Sequence, residues 1–193
     1  MILSNRELIK ALDEQRLIIT PRPQVILNDP SQSPFGTHSV DLRLNAEILV
    51  PRGGTFVYDP TQPGRQADFQ GVNSDRLTIS LSQPYRLERN TFILASTLER
   101  VGLPLPSTGK SCLAARIEGK SSRARIGLLV HFTAPTVHPG WNGHLTLEVI
   151  NLGPAAILLS PGMPIAQLIV EEVRGIPFES PSQFQNQLTP EGN

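Results

Sequence analysis

Short stretches of alternating apolar and polar residues run through most of this chain. In the segment 39–50, the apolar positions 40, 42 and 44 alternate with polar ones, which is the two-residue period of a half-buried strand. Similar strand-like runs follow at 77–81, 85–88, 91–97, 111–117, 127–133, 144–151, 155–159 and 164–173. The pattern predicts many short strands rather than long helices.

The N-terminus has the residue spacing of a helix. Ser4 and Glu7 match the capping box that begins many helices, and the apolar positions 8, 9 and 12 follow at helical spacing. Pro21 and Pro23 prevent a long continuation. We therefore predict one N-terminal helix that ends near Arg16.

Turn-forming residues divide the rest of the chain, which contains 18 prolines and 15 glycines. The segment 28–37 reads as a loop, and the polar segment 59–76 predicts a long surface excursion. From residue 175 onward aliphatic residues are scarce, which is typical of a mobile tail. We predict an all-β fold, a distorted barrel or jelly-roll-like sandwich with an N-terminal helix, in one domain over 1–174 followed by the tail 175–193.

Composition and charge narrow the functional classes. The 193 residues carry 17 Lys and Arg against 17 Asp and Glu, and this zero net charge argues against a nucleic-acid-binding protein. The single cysteine, Cys112, cannot form an intrachain disulfide and is expected to be a buried thiol in a reducing cytoplasm. The sequence has neither a signal-peptide pattern nor a run of about 18 apolar residues, so we expect no membrane partner.

The segment 119–125, Gly-Lys-Ser-Ser-Arg-Ala-Arg, concentrates groups that bind phosphate. Lys120 and Arg125 supply positive charge, the two serines supply hydroxyl donors, and the glycine allows close approach of the backbone. It is not a Walker A loop, because position 114 is alanine where that motif needs glycine. On composition alone, a solvated basic turn remains an equal alternative.

Glu148 is the second candidate. In the segment 144–151 the apolar positions 145, 147 and 149 share one face of the predicted strand, while Thr146 and Glu148 share the other. A carboxylate on a rigid strand that faces a site is suited to general acid/base catalysis. Without further context, an ordinary solvent-facing strand residue is the more common explanation.

Several motifs in a fixed order support a family assignment. The central ones are 119–125, Gly-Leu-Leu-Val-His-Phe-Thr-Ala at 127–134, Pro-Gly-Trp-Asn-Gly at 139–143 and Leu-Glu at 147–148. Further matching segments lie at 1–8, 39–44, 97–104 and 161–166. Together they resemble the dCTP deaminase family of the trimeric dUTPase-like superfamily, over nearly the whole chain apart from 59–76.

The resemblance implies hydrolytic deamination of dCTP to dUTP and ammonia, with Glu148 as general acid/base. The backbone near Thr133 and Ala134 would orient the attacking water and the exocyclic amine, and Thr146 would lie close to the base. Trp141 is expected to pack against the strands. The substrate-binding residues implied are Lys120, Ser121, Ser122, Arg123, Ala124, Arg125, Thr133, Ala134, His138, Thr146, Leu147, Phe178, Gln183 and Gln187.

The resemblance also implies partners. Zinc is not expected, because one cysteine and four unclustered histidines do not supply the ligands of zinc-dependent deaminases. Mg²⁺ would arrive with the triphosphate and be held mainly by its oxygens and by water. The family implies a cytoplasmic homotrimer with sites between subunits, dCTP and dUTP as ligands, dTTP as a candidate inhibitor, and a tail whose Gln187 contacts phosphate.

Three positions depart from the family pattern. Lys120 stands where arginine is usual, Gln183 where lysine is usual, and His138 where aspartate is usual. Because that aspartate assists hydrolysis in dUTPases, His138 predicts weak or no pyrophosphatase activity toward dUTP. A non-catalytic or altered-specificity nucleotide-binding trimer is one alternative to the deaminase, and a dUTP pyrophosphatase is the other.

Overall fold

A computed structural model describes residues 1–26, 29, 32–62, 65–106, 111–175, 177–178, 180 and 182–192. The predicted loop 28–37, excursion 59–76 and tail 175–193 lie partly outside this described set. The helices are α1 Asn5–Asp13, α2 Gln66–Val72 and α3 Ser121–Ala124. The strands are β1 Ile18–Thr20, β2 Val40–Pro51, β3 Ser74–Thr78, β4 Tyr85–Leu87, β5 Phe92–Gly102, β6 Cys112–Gly119, β7 Leu128–Val130, β8 Thr136–Val137, β9 Asn142–Asn151, β10 Ile157–Leu159 and β11 Pro164–Val173.

The N-terminal helix α1 begins as its sequence predicts. The Ser4 hydroxyl accepts a hydrogen bond from the Glu7 backbone N–H at 3.4 Å, which caps the helix. Leu8 and Leu12 are buried on one face. The helix ends at Asp13 rather than near Arg16, because Gln15 takes a positive φ of 58° and so cannot continue it.

The predicted mainly β architecture is confirmed. In the described residues, nine strands form one sheet in the order β7-β9-β5-β2-β11-β6-β8, with β1 added on β5 and β3 on β2, and β4 pairs with β10 separately. The sheet curls strongly, since β6 and β7 lie near opposite ends of that order and yet contact each other. The apolar faces of its strands enclose a single core.

The strand β9, which carries Glu148, lies between β7 and β5 in the sheet. It pairs with β5 from Asn142 to Ile150 and with β7 from Val149 to Asn151, both antiparallel. Its residues alternate between buried and half-buried along the full length. The predicted segregation of Glu148 from the core-facing side chains is therefore confirmed.

Outside β9, two residues take the positions that the sequence predicts, and one segment differs from its prediction. Cys112 is a buried free thiol, and Trp141 belongs to the core with 7% exposure, as predicted. The segment 59–76 contains α2 and the start of β3, which the excursion prediction missed; α2 lies at the surface without a buried side chain. Within the described residues, no helix is both long and apolar enough to span a bilayer.

Candidate active site

Glu148 is held on β9 between two neighbouring strands. Its residue pairs with Leu94 of β5, and its backbone carbonyl accepts a hydrogen bond from the His131 N–H at 2.7 Å. The side chain is half-buried and points away from the core-facing leucines. A carboxylate on a strand paired on both edges has a fixed position, which a proton-transfer group requires.

A tight turn over residues 131–134 faces Glu148. His131 has a positive φ of 57°, and its Nε2 lies 2.6 Å from the Ala134 carbonyl oxygen. Because a carbonyl only accepts, Nε2 is the protonated nitrogen of this ring. At the other side of the turn, the Thr133 hydroxyl donates to the Glu148 Oε2 at 3.4 Å. The turn therefore places a hydroxyl donor next to the carboxylate.

A cavity of about 460 Å³ opens beside this turn. That volume is within the range of small-molecule sites in proteins, about 300–1,000 Å³. The predicted site residues that line it are Ala134, His138, Thr146, Glu148 and Gln187. The cavity combines a carboxylate with apolar walls, as a site for a planar base requires.

The other residues that line this cavity were not identified as site residues from the sequence, and they include Gln66, Gln70, Phe92, His131, Trp141 and Glu191. His131 lies within the 127–134 motif, so its position was an available signal. Gln66 and Gln70 belong to α2, and no local pattern links that helix to β9. They reach the cavity only through long-range folding.

His138 and Trp141 form one side of the cavity. Their ring centroids are 6.1 Å apart with an interplanar angle of 85°, an edge-to-face arrangement. The His138 side chain is exposed, and its Nδ1 lies 3.4 Å from the Pro139 carbonyl. His138 is thus a cavity residue that remains accessible to a ligand.

The C-terminal residues close another side. Gln187, buried to 3% exposure, donates from Nε2 to the His144 carbonyl at 2.7 Å and to the Thr146 hydroxyl at 2.9 Å. The Thr146 hydroxyl donates in turn to the Pro190 carbonyl at 2.9 Å. The segment 182–192 thus lies along β9, and its predicted mobility stays a prediction.

The phosphate-binding candidates lie elsewhere in the chain. The helix α3 joins β6 to β7, and its Ser121 and Ser122 are exposed, as is Arg125 directly after it. Of the described residues, those of the 119–125 segment do not line the cavity. One chain therefore does not bring its cationic loop to its own Glu148.

Lys120 is engaged within the protein. Its Nζ lies 2.5 Å from the Asp41 Oδ1 of β2, and the two side chains are only 23% and 21% exposed. Next to this pair, the Gln167 amide donates to the Gly119 carbonyl at 3.3 Å. These contacts attach the start of α3 to β2 and β11, so Lys120 holds the loop in place.

The remaining predicted residues take other positions. Leu147 is fully buried in the core, whereas Phe178 is 90% exposed and Gln183 is exposed. Arg123 is half-buried, with a buried Nε that has no partner in the described structure. Within the same residues, no three His, Cys, Asp or Glu side chains group as metal ligands. The predicted substrate roles of these residues remain predictions.

Comparisons with known proteins agree with these observations. A family model described as dCTP deaminase-like matches residues 2–173. A dCTP deaminase from Thermomicrobium roseum is 37% identical over 176 residues, which cover 90% of this chain and 80% of that protein. A dUMP-forming dCTP deaminase from Dictyoglomus thermophilum is 36% identical over 197 residues, 98% of this chain and 92% of the relative.

A solved structure supports the fold. The dCTP deaminase from Agrobacterium tumefaciens superimposes with a TM-score of 0.59 at 20% identity. The match covers 88% of this chain and 47% of that one, so this chain spans about half its length. With the sequence match over residues 2–173, these findings show that the chain belongs to the dCTP deaminase-like family.

Proposed function

We propose that this protein is an enzyme that hydrolyses the 4-amino group of dCTP, giving dUTP and ammonia. The single observation that carries the proposal is the Glu148 carboxylate, fixed on β9 and lining a cavity large enough for a nucleotide base. Family membership and relatives named dCTP deaminase support the same substrate. The reaction would supply deoxyuridine nucleotides for pyrimidine metabolism in the cytoplasm.

Glu148 acts as both base and acid in this proposal. It removes a proton from water, and the resulting hydroxide bonds to C4 of the cytosine ring while the C4–N3 π electrons move to N3, which takes that proton from Glu148. Glu148 then removes the proton of the new C4 hydroxyl and gives it to the amine; the C4–N bond breaks, and ammonia leaves as the C4 carbonyl forms. The Thr133 hydroxyl, 3.4 Å from Oε2, orients the carboxylate.

The chemistry needs no zinc in this proposal, because a carboxylate base replaces metal-bound hydroxide. Mg²⁺ enters with the triphosphate as part of the substrate. We propose a homotrimer in which the 119–125 loop of one copy meets the Glu148 cavity of another, with Ser121, Ser122 and Arg125 on the phosphates. The separation of that loop from the cavity in a single chain supports this arrangement.

The product distinguishes two versions of the activity. Relatives of both kinds, dCTP deaminases and dUMP-forming dCTP deaminases, are similar to this chain at 37% and 36% identity. We propose dUTP as the final product, because an imidazole at position 138 does not carry the permanent negative charge of the aspartate that is usual there. The accessible His138 side chain in the cavity is the residue on which this difference depends.

The test incubates the protein with dCTP and Mg²⁺ and measures ammonia, dUTP, dUMP and pyrophosphate. Equal amounts of ammonia and dUTP are expected, with little pyrophosphate. Pyrophosphate in step with ammonia would make the enzyme dUMP-forming. Nucleotide binding by calorimetry without ammonia from dCTP, dCDP or dCMP would favour a non-catalytic nucleotide-binding trimer. Including dTTP in the assay tests it as an inhibitor.

A further inference from the structure

A row of paired residues crosses the sheet face that bears Glu148. Arg76 of β3 lies opposite Leu49 of β2, which lies opposite Leu94 of β5. Leu94 is in turn opposite Glu148 of β9. Residues directly opposite each other on neighbouring strands point to the same face of a sheet. Arg76 is therefore level with Glu148 on one face, across β2 and β5.

Glu191, near the C-terminus, is attached to this face at two points. Its Oε1 accepts a hydrogen bond from the Arg76 guanidinium. The carbonyl of the preceding residue, Pro190, accepts from the Thr146 hydroxyl at 2.9 Å. Thr146 is two residues before Glu148 on the same strand, so the two side chains share one face. The Glu191 carboxylate is thus held on the side of Glu148, and both residues line the cavity.

The second oxygen of this carboxylate has no donor. The Glu191 side chain is only 11% exposed, and its Oε2 is buried without a hydrogen-bond partner among the described residues. A buried carboxylate oxygen that has lost its water and gained no donor costs free energy. At the wall of the cavity, Glu191 therefore offers an acceptor that a ligand with a donor group can satisfy.

The charge of Glu191 limits which part of a nucleotide can lie beside it. A carboxylate repels phosphate, and in the described structure the 119–125 segment does not line the cavity. The groups of dCTP that can donate are then the 4-amino group and the 3′-hydroxyl. The 4-amino group is bonded to C4, the atom that Glu148 must reach in the proposed reaction. Because Glu191 is held on the side of Glu148, the 4-amino group is the donor that it faces.

We propose that Glu191 accepts a hydrogen bond from the 4-amino group of dCTP through Oε2 and so selects the substrate over the product. This inference rests on the proposed function, because it assigns the cavity to the base. Uracil has a carbonyl oxygen at C4, which cannot donate and is repelled by a carboxylate. Deamination thus turns a favourable contact into an unfavourable one, which promotes release of dUTP. Glu191 lies outside the residues 2–173 that match the family model, so this selection belongs to the C-terminal segment.

The test measures binding without turnover, in an E148Q background, by calorimetry with dCTP and with dUTP in the presence of Mg²⁺. Adding Glu191→Gln should weaken dCTP binding about tenfold, because a charged acceptor is lost. The new amide can donate to the uracil carbonyl, so dUTP binding should tighten about threefold.

Glu47→Gln is the matched control for these affinities. Glu47 contacts the same Arg76 guanidinium, but among the described residues it does not line the cavity, so both affinities should stay unchanged. Equal weakening of dCTP and dUTP by Glu191→Gln overturns the proposal, since a looser C-terminal segment affects both nucleotides alike. Unchanged affinities in Glu191→Gln overturn it as well.

A dideoxynucleotide distinguishes the two donor groups of the substrate. 2′,3′-Dideoxy-CTP keeps the 4-amino group and lacks the 3′-hydroxyl. In the E148Q background, Glu191→Gln should weaken its binding about tenfold, as for dCTP. If Glu191→Gln weakens dCTP but not the dideoxynucleotide, Glu191 contacts the 3′-hydroxyl and the proposal is wrong.

Product inhibition tests the same contact in protein with Glu148 intact. The inhibition constant of dUTP against dCTP deamination should be about threefold lower in Glu191→Gln than in the wild type, because the product is no longer repelled. Retained ammonia release with an unchanged inhibition constant removes this inference alone. If the wild type releases no ammonia and the E148Q protein binds neither nucleotide, the proposed function fails, and this inference fails with it.

Discussion

The face of β9 and the α3 loop, the two halves of the proposed site, are built in opposite ways. Glu148 lies on a strand that is hydrogen-bonded on both edges and backed by buried leucines. The α3 loop is a four-residue helix whose serines are exposed and whose Lys120 is tied to Asp41. The sheet fixes the proposed proton carrier, whereas the proposed phosphate-binding groups lie on a short surface segment.

The β9 face and the α3 loop also differ in their position relative to the cavity. The β9 face opens on the cavity of its own chain, and in the described structure the 119–125 segment does not. A catalytic base must be placed to a fraction of an ångström, and a sheet does this within one chain. Phosphate charges can be met by groups from a second copy, because electrostatic attraction tolerates more variation in geometry. The proposed site shared between copies would accommodate this contrast.

The largest expected effect concerns the rigid half. Glu148→Gln removes the only proposed proton carrier while keeping size and hydrogen-bonding capacity, so ammonia release from dCTP should fall by at least about 10³-fold. Glu88→Gln changes an exposed glutamate of the same type and should leave the rate unchanged. A residual rate near wild type would exclude Glu148 as the acid/base.

The next largest effect on activity is expected from the loss of a proposed phosphate contact. Arg125→Ala should lower kcat/KM for dCTP by roughly 10- to 100-fold, since charged hydrogen bonds contribute a few kcal/mol. Arg86→Ala, at an exposed arginine of β4, is the matched control. An equally large loss of kcat/KM in Arg86→Ala would show that the effect comes from the change in net charge.

Refolding an equal mixture of Glu148→Gln and Arg125→Ala chains tests whether the two regions meet between copies. In a cyclic trimer with shared sites, about a quarter of the sites would combine an intact Glu148 with an intact Arg125, and ammonia release should recover accordingly. The unmixed variants, refolded in the same way, give the baseline. No recovery in confirmed mixed trimers would mean that both residues act within one chain.

A smaller effect is expected at the attachment of the loop. Lys120→Met and Asp41→Asn should each lower the free energy of unfolding by about 1–2 kcal/mol, because each leaves a partly buried charge without its partner. The double variant should lose less than the sum, and urea titrations of all four proteins measure this coupling. Additive losses would show that the two side chains do not interact in solution.

The smallest effect is expected beside the carboxylate. Thr133→Val removes the 3.4 Å contact to Glu148 and should reduce kcat about threefold with little change in KM, because a long hydrogen bond contributes little. Thr133→Ser keeps the hydroxyl and should stay near wild type. Equal activity of the valine and serine variants would remove Thr133 from the orientation of Glu148.

Strands with a clear two-residue period were predictable, and very short elements were not. The runs at 91–97 and 144–151 correspond to β5 and β9, whereas β1 and β8 have three and two residues and show no period. The surface helix α2 buries no side chain, so its sequence carries no apolar stripe. Local pattern detects an element only when the element is long and half-buried.

For the candidate site, the sequence by itself determined the chemical groups and the strand face that carries Glu148 and Thr146. That information is local, since side chains two residues apart on a strand point to the same side. Only the tertiary structure decided that the 131–134 turn faces Glu148, that Asp41 holds Lys120 and that Gln187 lies on β9. Each of these contacts joins segments distant in the chain, and no local pattern records which of them the folded sheet brings together.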